Sequence, residues 1–316
     1  MLMCTPPAPS VPVLGLDPRT GTEQWRVEPT DREQFSILAD GGGGVCIGVG
    51  IQDWYWSERL RMVEVATGVI RKERDLPFKG ASYVDALSVL VGESAVYVGA
   101  ADTVYIEGAP ESPYPQHALV ALDAQTGTEL WRASLPPNPA GGMTEHQGSL
   151  YVQSTSGVLH CLDAATGAEH WRYDLGSYYS YRVTDCLVYV PSRDGVLRAI
   201  DPATGEERWQ YLENPPPNSW DDEVPPSVVV DGDTVYAAFN WLDPAEHDRY
   251  GTLYELMEQQ DFPIPLVDTV ITAVHAGTGI ELWSAQPGGM INRIAKIDGL
   301  LLFQDGSSIV GVIESP

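Results

Sequence analysis

Lysine is nearly missing from this sequence, as are paired cysteines, clustered histidines and long apolar runs. Lys72, Lys79 and Lys296 are the only lysines among 18 basic residues, set against 44 acidic ones for a formal net charge of −26. Phosphate binding needs clustered Lys and Arg, so this balance excludes nucleic acid and anionic lipid as natural partners. An acidic, solubilising shell accounts for the charge. Lysine depletion also fits a high-salt habitat, and a GC-rich genome produces it as well. Cys4, Cys46, Cys161 and Cys186 stand far apart, with no CxxC and no adjacent pair. Neither a zinc site nor a redox pair is supported, and most of these thiols read as ordinary buried groups.

The six histidines are scattered and form no HExxH motif. They read as structural or surface residues. Asp221-Asp222-Glu223 offers hard oxygens of the kind Ca²⁺ takes but has no EF-hand frame, and reads as a solvated loop. Gly41 to Gly44 connects strands; no helix follows it, so it is no phosphate cradle. No apolar run approaches the ~18 residues of a membrane span. Residues 1–12 form a Pro-rich leader with neither a basic start nor an apolar core, so no signal peptide is read there. The chain as it stands is expected in the cytoplasm, or outside it if a signal or lipoprotein segment precedes residue 1.

The chain is rich in aromatics (9 Trp, 15 Tyr and 5 Phe) and in turn formers (31 Gly and 25 Pro). That pairing reads as many short strands rather than helices. One pattern recurs: apolar, Asp, two variable residues, Thr-Gly, a variable residue, Glu, a variable residue, Trp. Its first copy runs from Leu16 through Asp17, Thr20, Gly21 and Glu23 to Trp25. Close copies run from Leu122 to Trp131, Leu162 to Trp171, Ile200 to Trp209 and Val274 to Trp283, the last with His275 for Asp. A weaker copy from Val63 to Lys72 has Glu64 for Asp and Lys72 for Trp.

The pattern is that of a hairpin. Asp hydrogen-bonds backbone amides ahead of it and starts a turn, and Gly supplies the positive φ that a tight turn needs. Glu and Trp lie two apart and are expected to share one face of the outgoing strand. Upstream of most copies lie two further strand signals, such as Val228-Val229-Val230 and Val235 to Phe239 around the turn Asp231-Gly232-Asp233. Each unit is then four antiparallel strands, A to D, and tandem four-stranded units signify a propeller.

The Asp-x-x-Thr-Gly-x-x-x-Trp hairpin resembles the tryptophan motif of pyrroloquinoline-quinone-like repeats. Those repeats build quinoprotein dehydrogenases as well as non-enzymatic relatives such as the lipoprotein propeller of the outer-membrane assembly machinery. The resemblance covers nearly the whole chain and implies an all-β propeller. Enzymes of the group use a quinone beside calcium, flanked in the large alcohol dehydrogenases by a vicinal disulfide. No adjacent cysteines exist here, and no cofactor-stacking Trp or catalytic Asp stands out by motif. The resemblance therefore carries the fold and not the activity, and no catalytic residue, cofactor or metal is assigned.

Spacings between the repeat threonines Thr20, Thr67, Thr126, Thr166, Thr204 and Thr278 are 47, 59, 40, 38 and 74. Intervals near 40 are bare blades and longer ones carry insertions. Six blades are expected in a single domain from 13 to 316, with the ring closed by pairing the N- and C-terminal strands. The strand Thr22 to Val27 would complete the last blade after Ile309 to Ile313, leaving Val13 to Asp17 surplus or displaced. A seventh blade hidden in the longest interval is the alternative. A helical insertion at 243–260 is preferred there, since Asp243-Pro244-Ala245-Glu246 starts a helix well and Leu253, Leu256 and Met257 have helical spacing.

Antiparallel order puts the A–B and C–D turns on one face and the B–C and D–A connections on the other. The Thr-Gly turns make the first face plain. The irregular segments gather Trp54, Tyr55, Trp56, Tyr178, Tyr179, Trp220 and Trp241 on the second. These are expected to form a binding face for a protein or peptide partner, since Trp and Tyr are favoured interface anchors. The repeated residues Trp25, Trp131, Trp171, Trp209 and Trp283 are expected to hold blades together. The repeated acids Glu23, Glu129, Glu169, Glu207 and Glu281 are read as structural too, because an active site is singular. The expected function is a non-enzymatic binding propeller, with a quinone-dependent dehydrogenase of divergent site as the alternative; propeller carbohydrate hydrolases and lyases are a third class.

Overall fold

The computed structural model describes residues 12–17, 19–30, 33–41, 44–51, 57–79, 87–92, 94–101, 117–124, 126–134, 142–154, 157–174, 180–192, 194–212, 226–242, 267–287, 291, 293–297, 300–305 and 308–314. At some strand positions, including 34–60 and 74–88, the description covers the backbone alone. The segment 243–260, expected as a helical insertion, lies outside the described residues.

Every regular element described is a strand. A first hairpin joins β1 (Val13–Leu16) and β2 (Glu23–Val27). Four-stranded antiparallel sheets follow. One is β3 (Glu33–Gly41), β4 (Gly44–Ile51), β5 (Ser57–Glu64) and β6 (Ile70–Lys79); the next is β7 (Leu87–Val91), β8 (Ala95–Ala101), β9 (His117–Asp123) and β10 (Glu129–Ser134). Then come β11 (Met143–His146), β12 (Ser149–Gln153), β13 (Val158–Asp163) and β14 (Glu169–Asp174), followed by β15 (Arg182–Val183), β16 (Val188–Pro191), β17 (Val196–Ile200) and β18 (Glu207–Leu212). The last four-stranded sheet is β19 (Ser227–Asp231), β20 (Thr234–Leu242), β21 (Val267–His275) and β22 (Glu281–Ala285). A three-stranded sheet, β23 (Arg293–Ile297), β24 (Leu300–Asp305) and β25 (Ser308–Glu314), ends the chain. The chain divides into two compact units, residues 1–155 with 162–169 and residues 156–161 with 170–316, each described by itself.

Two expectations change. The strand Glu23–Val27 pairs with Val13–Leu16, which are therefore not surplus: their sequence is the incoming arm of the same Thr-Gly hairpin. Closure through the two terminal strands is not seen among the described strand pairings. The other change is a bulge in the repeat. Glu129 pairs with Leu122 but Trp131 pairs with Ala121, so an extra residue, Leu130, sits between them. The same shift occurs at Glu207 and Trp209, and at Glu281 and Trp283. Consecutive partners on β9 point to opposite faces, so Glu and Trp do too, contrary to the shared face that simple alternation implies. The extra residue turns outward, leaving Leu130 and Leu282 exposed.

Packing lies between successive sheets. Tyr97, Leu119, Ala121 and Trp131 meet Leu150, Val152, Leu162 and Ala164, while Val96, Val98, Val120 and Leu122 fill the opposite face. Tyr189, Leu197 and Ala199 meet Val228, Val235, Ala237 and Val274, and Tyr236, Ala238, Ile271 and Ala273 meet Ile291, Ile294, Leu301 and Phe303. Strands buried on both faces read as apolar runs, which is why Val-Tyr-Val stretches recur.

Candidate functional site

The repeated turn is built the same way each time. In the first copy Asp17 Oδ1 accepts from the amides of Arg19 at 2.8 Å and Thr20 at 2.9 Å, while Gly21 N donates to Asp17 O at 2.8 Å. Asp201 repeats this with Ala203 N at 2.8 Å and Thr204 N at 3.1 Å. These amide hydrogen bonds hold the Asp17 and Asp201 carboxyls below the ordinary 3.8. In the fifth close copy His275 Nδ1 takes the acceptor role, receiving Gly277 N at 3.2 Å.

The residue after each Asp is a junction. Ala164 N donates to Gly148 O and Ala276 N to Asp233 O, tying the C–D turn to the A–B turn of its own sheet. Their carbonyls accept the tryptophan of the preceding sheet: Trp131 Nε1 reaches Ala164 O and Trp209 Nε1 reaches Ala276 O, both at 3.0 Å. Trp25 Nε1 reaches Val65 O at 2.6 Å and Trp171 Nε1 reaches Pro202 O at 2.9 Å. Each ring also covers the turn glycine. A Cβ on Gly68, Gly167, Gly205 or Gly279, all at positive φ, would lie 2.5–2.8 Å from the indole of Trp25, Trp131, Trp171 or Trp209. Trp131 and Trp171 are buried; Trp25, Trp209 and Trp283 are half-buried.

A tyrosine in strand B belongs to this device, and pattern reading missed it. Tyr97 OH and Tyr189 OH donate to the same junction carbonyls, Ala164 O and Ala276 O, at 3.4 and 3.2 Å. Tyr97, Tyr189 and Tyr236 tilt against Trp131, Trp209 and Trp283 with ring centroids 5.9 Å apart. The signal was available as a Tyr near the start of strand B in β8, β12, β16 and β20. The repeated acids enter seams or local ion pairs: Tyr173 OH donates to Glu207 and Tyr211 OH to Glu281, each at 2.8 Å, and Arg26 and Arg132 pair with Glu23 and Glu129. Glu169 is exposed on β14.

The expected binding-face residues Trp54, Tyr55, Trp56, Tyr178, Tyr179 and Trp220 lie outside the described residues, as does the Trp241 side chain, whose backbone is in β20. The face expected to be plain carries a cavity of about 420 Å³. It opens where β7 and β11, the edge strands of neighbouring sheets, end in their A–B turns. Leu90, Val91 and Met143 supply apolar wall, and Glu145, His146 and Gln147 supply polar wall. A Cβ built on Gly92 would coincide with Glu145 Oε2 and lie 3.0 Å from Tyr97 Cε2, so the carboxylate fills the space a side chain at 92 would need. Burial first, then the nearby Glu145 carboxylate, pushes the Tyr97 phenol well above its ordinary 10. Gln147, at φ 48, is the one non-glycine among the described residues with positive φ.

Among the described residues, no group of three or more His, Cys, Asp or Glu side chains is placed to hold a metal ion. Cys161 is a buried free thiol and Cys186 an exposed one. No described helix is long and apolar enough to cross a membrane.

A family model described as outer membrane protein assembly factor BamB matches residues 116–310. No curated protein sequence matches the chain. Among solved structures the chain is similar to BamB from Moraxella catarrhalis at 20% identity and a TM-score of 0.58, covering 94% of this chain and 77% of that one. It is similar to the computationally designed Ika8 protein at 15% identity and a TM-score of 0.56, covering 90% of this chain and 71% of that one. A quinohemoprotein alcohol dehydrogenase from Pseudomonas putida HK5 aligns at 15% identity with a TM-score of 0.45, over 96% and 68% of the two chains. The first two likenesses concern the fold, an all-β propeller of four-stranded antiparallel blades.

Proposed function

Since the chain belongs to the family described as outer membrane protein assembly factor BamB, we propose that it is a non-enzymatic binding propeller for a protein or peptide partner. The observation that supports this most directly is how the repeated residues are used. Asp17, Asp163 and Asp201 close turns, the tryptophans and strand-B tyrosines meet at junction carbonyls, and Glu207 and Glu281 receive tyrosine hydroxyls across seams. A role repeated in blade after blade stabilises a scaffold, and scaffolds carry binding residues on their irregular loops.

The binding face in this reading is the one bearing Trp54, Tyr55, Trp56, Tyr178, Tyr179, Trp220 and Trp241. Asp53, Asp221, Asp222 and Glu223 stand among those aromatics in the sequence, so the complementary partner surface combines basic and apolar groups. Site-specific photo-crosslinking in the native host tests the assignment. Probes at positions 54, 56 and 220 are expected to capture one discrete partner, and probes at turn positions 22 and 206 are not. Capture from the turn positions alone would put the binding face at the opposite end. Alcohol- or sugar-dependent dye reduction with added pyrroloquinoline quinone and Ca²⁺ would replace the binding reading with the dehydrogenase one.

A further inference from the structure

We infer that the cavity between β7 and β11 is a binding site for an aliphatic ammonium group, carried either by a small free amine or by a lysine side chain. It lies at the A–B turns rather than on the proposed loop face, so the two readings stand or fall separately.

The lining sets the ligand's chemistry. Among the described lining residues Glu145 is the one carboxylate, and no Lys or Arg joins it. The charged end of a ligand must then be a cation, which the −26 net charge also attracts. Leu90, Val91 and Met143 suit a short methylene stem rather than a bare ion. The one carboxylate and one imidazole among the described lining residues are too few for a metal, and no larger donor group exists among the described residues. Three donors on a tetrahedral nitrogen suit the scattered acceptor types here, the Glu145 carboxylate, Thr144 hydroxyl and Gln147 amide. A guanidinium instead favours a planar, bidentate partner. The volume of about 420 Å³ falls at the small end of ligand pockets.

Two features mark the cavity as shaped. The absence of a side chain at Gly92 is what lets the Glu145 carboxylate sit beside Tyr97. At the rim Gln147 holds a left-handed backbone, whereas the corresponding A–B turn of the β19–β20 hairpin uses Gly232 at φ 56. A non-glycine there is strained, and such strain gathers at functional sites.

The test is calorimetric titration of the full chain in 0.5 M NaCl, which screens diffuse attraction to the acidic surface. The probes are Nα-acetyl-lysine methylamide, its neutral norleucine counterpart, pentylamine and a ten-residue peptide with one lysine. Saturable one-site binding of the cationic probes is expected, at least tenfold weaker for Glu145→Gln and for Gly92→Ala, and unchanged for the exposed-acid control Glu206→Gln. A tighter peptide assigns the site to lysine side chains, and tighter pentylamine assigns it to free amines; either supports the site. Equal binding of the norleucine probe, binding unchanged in Glu145→Gln, or no saturable binding overturns it. Should a variant lose its fold, the Met143 methyl resonance of the unmodified protein decides: it must shift on saturation with the lysine probe, and an unmoved signal overturns the site.

Discussion

The indole nitrogen of Trp131 donates to the carbonyl of Ala164 at 3.0 Å, across the seam between one sheet and the turn of the next. The amide of Ala164 is also used, donating to Gly148 O at 2.9 Å. One residue thus fastens its turn to its own sheet through N–H and to the preceding sheet through C=O. At Pro202 half of this junction is missing, because proline has no N–H: Trp171 still reaches the carbonyl, but the tie to the A–B turn cannot form.

The turn glycines separate the worth of the staple from the worth of the turn. Gly167 has φ +74 and lies under Trp131, while Gly21 has φ +68 and open space, with nothing within 4 Å of where a Cβ would stand. Gly21→Ala is expected to lose about 1 kcal/mol, the left-handed penalty alone. Gly167→Ala adds displacement of the indole and is expected to lose about 2–4 kcal/mol. Urea midpoints of the two variants check this. Equal losses would mean that the ring contributes little to holding the turn.

Acid should loosen the turns before it reaches the core. Asp17 and Asp201 have folded-state carboxyls depressed below 3.8 by backbone amides. A depressed folded value means that the stabilisation is present above the unfolded value and is lost as pH falls through the folded one. Stability should therefore be flat from pH 7 to about 5 on this account and decline below about 4. Asp201→Asn keeps an acceptor oxygen but cannot titrate, so its decline should be shallower than that of the unmodified chain. An identical pH profile for the variant would remove Asp201 from the explanation.

Glu33 and Arg61 form a buried pair, with Arg61 Nη1 and Nη2 at 2.8 and 2.6 Å from the two carboxylate oxygens. Both residues are under 10% exposed. Arg61 also reaches Glu73, and Glu33 accepts Thr30 N at 3.0 Å. Removing one partner leaves an uncompensated charge, so Glu33→Gln or Arg61→Met should cost about 3–5 kcal/mol. The double variant should cost less than the sum of the two. Strict additivity in a double-mutant cycle would show that the charges do not act as a pair.

Much of the architecture was legible in the sequence because the Thr-Gly turn and its Trp recur at fixed offsets. What periodicity hid was the bulge. Glu129 and Trp131 look like same-face neighbours until one residue of the strand is left unpaired, and nothing in Glu-Leu-Trp announces that. The strand-B tyrosines were visible but read as generic strand formers, since their role needs a carbonyl about 67 residues away from Tyr97 to be seen. The cavity was missed for a related reason. Glu145, His146 and Gln147 sit in a short hairpin on the face that looked uniform, and only the approach of β7 to β11 gives them a common space.

His275 is where the repeat's turn chemistry is weakest, and restoring it should be measurable. Its Nδ1 accepts Gly277 N at 3.2 Å and lies 3.3 Å from Thr278 Oγ1. At the same place Asp201 Oδ1 accepts two amides, at 2.8 and 3.1 Å. An imidazole offers one acceptor nitrogen, and only in the tautomer that leaves Nδ1 unprotonated; a carboxylate offers two oxygens in any neutral buffer. His275→Asp is therefore expected to raise stability by about 0.5–1 kcal/mol, the scale of a good capping side chain. The substitution adds a negative charge to a surface already at −26, so the gain should be read in 0.5 M salt, where repulsion is screened within a few ångströms. His275→Asn is the neutral control: it restores an oxygen acceptor without charge and should recover part of the gain at any ionic strength. The reverse change, Asp201→His, should lower the melting temperature. If His275→Asp and His275→Asn both melt at or below the unmodified protein in high salt, the imidazole is already an adequate closure of its turn.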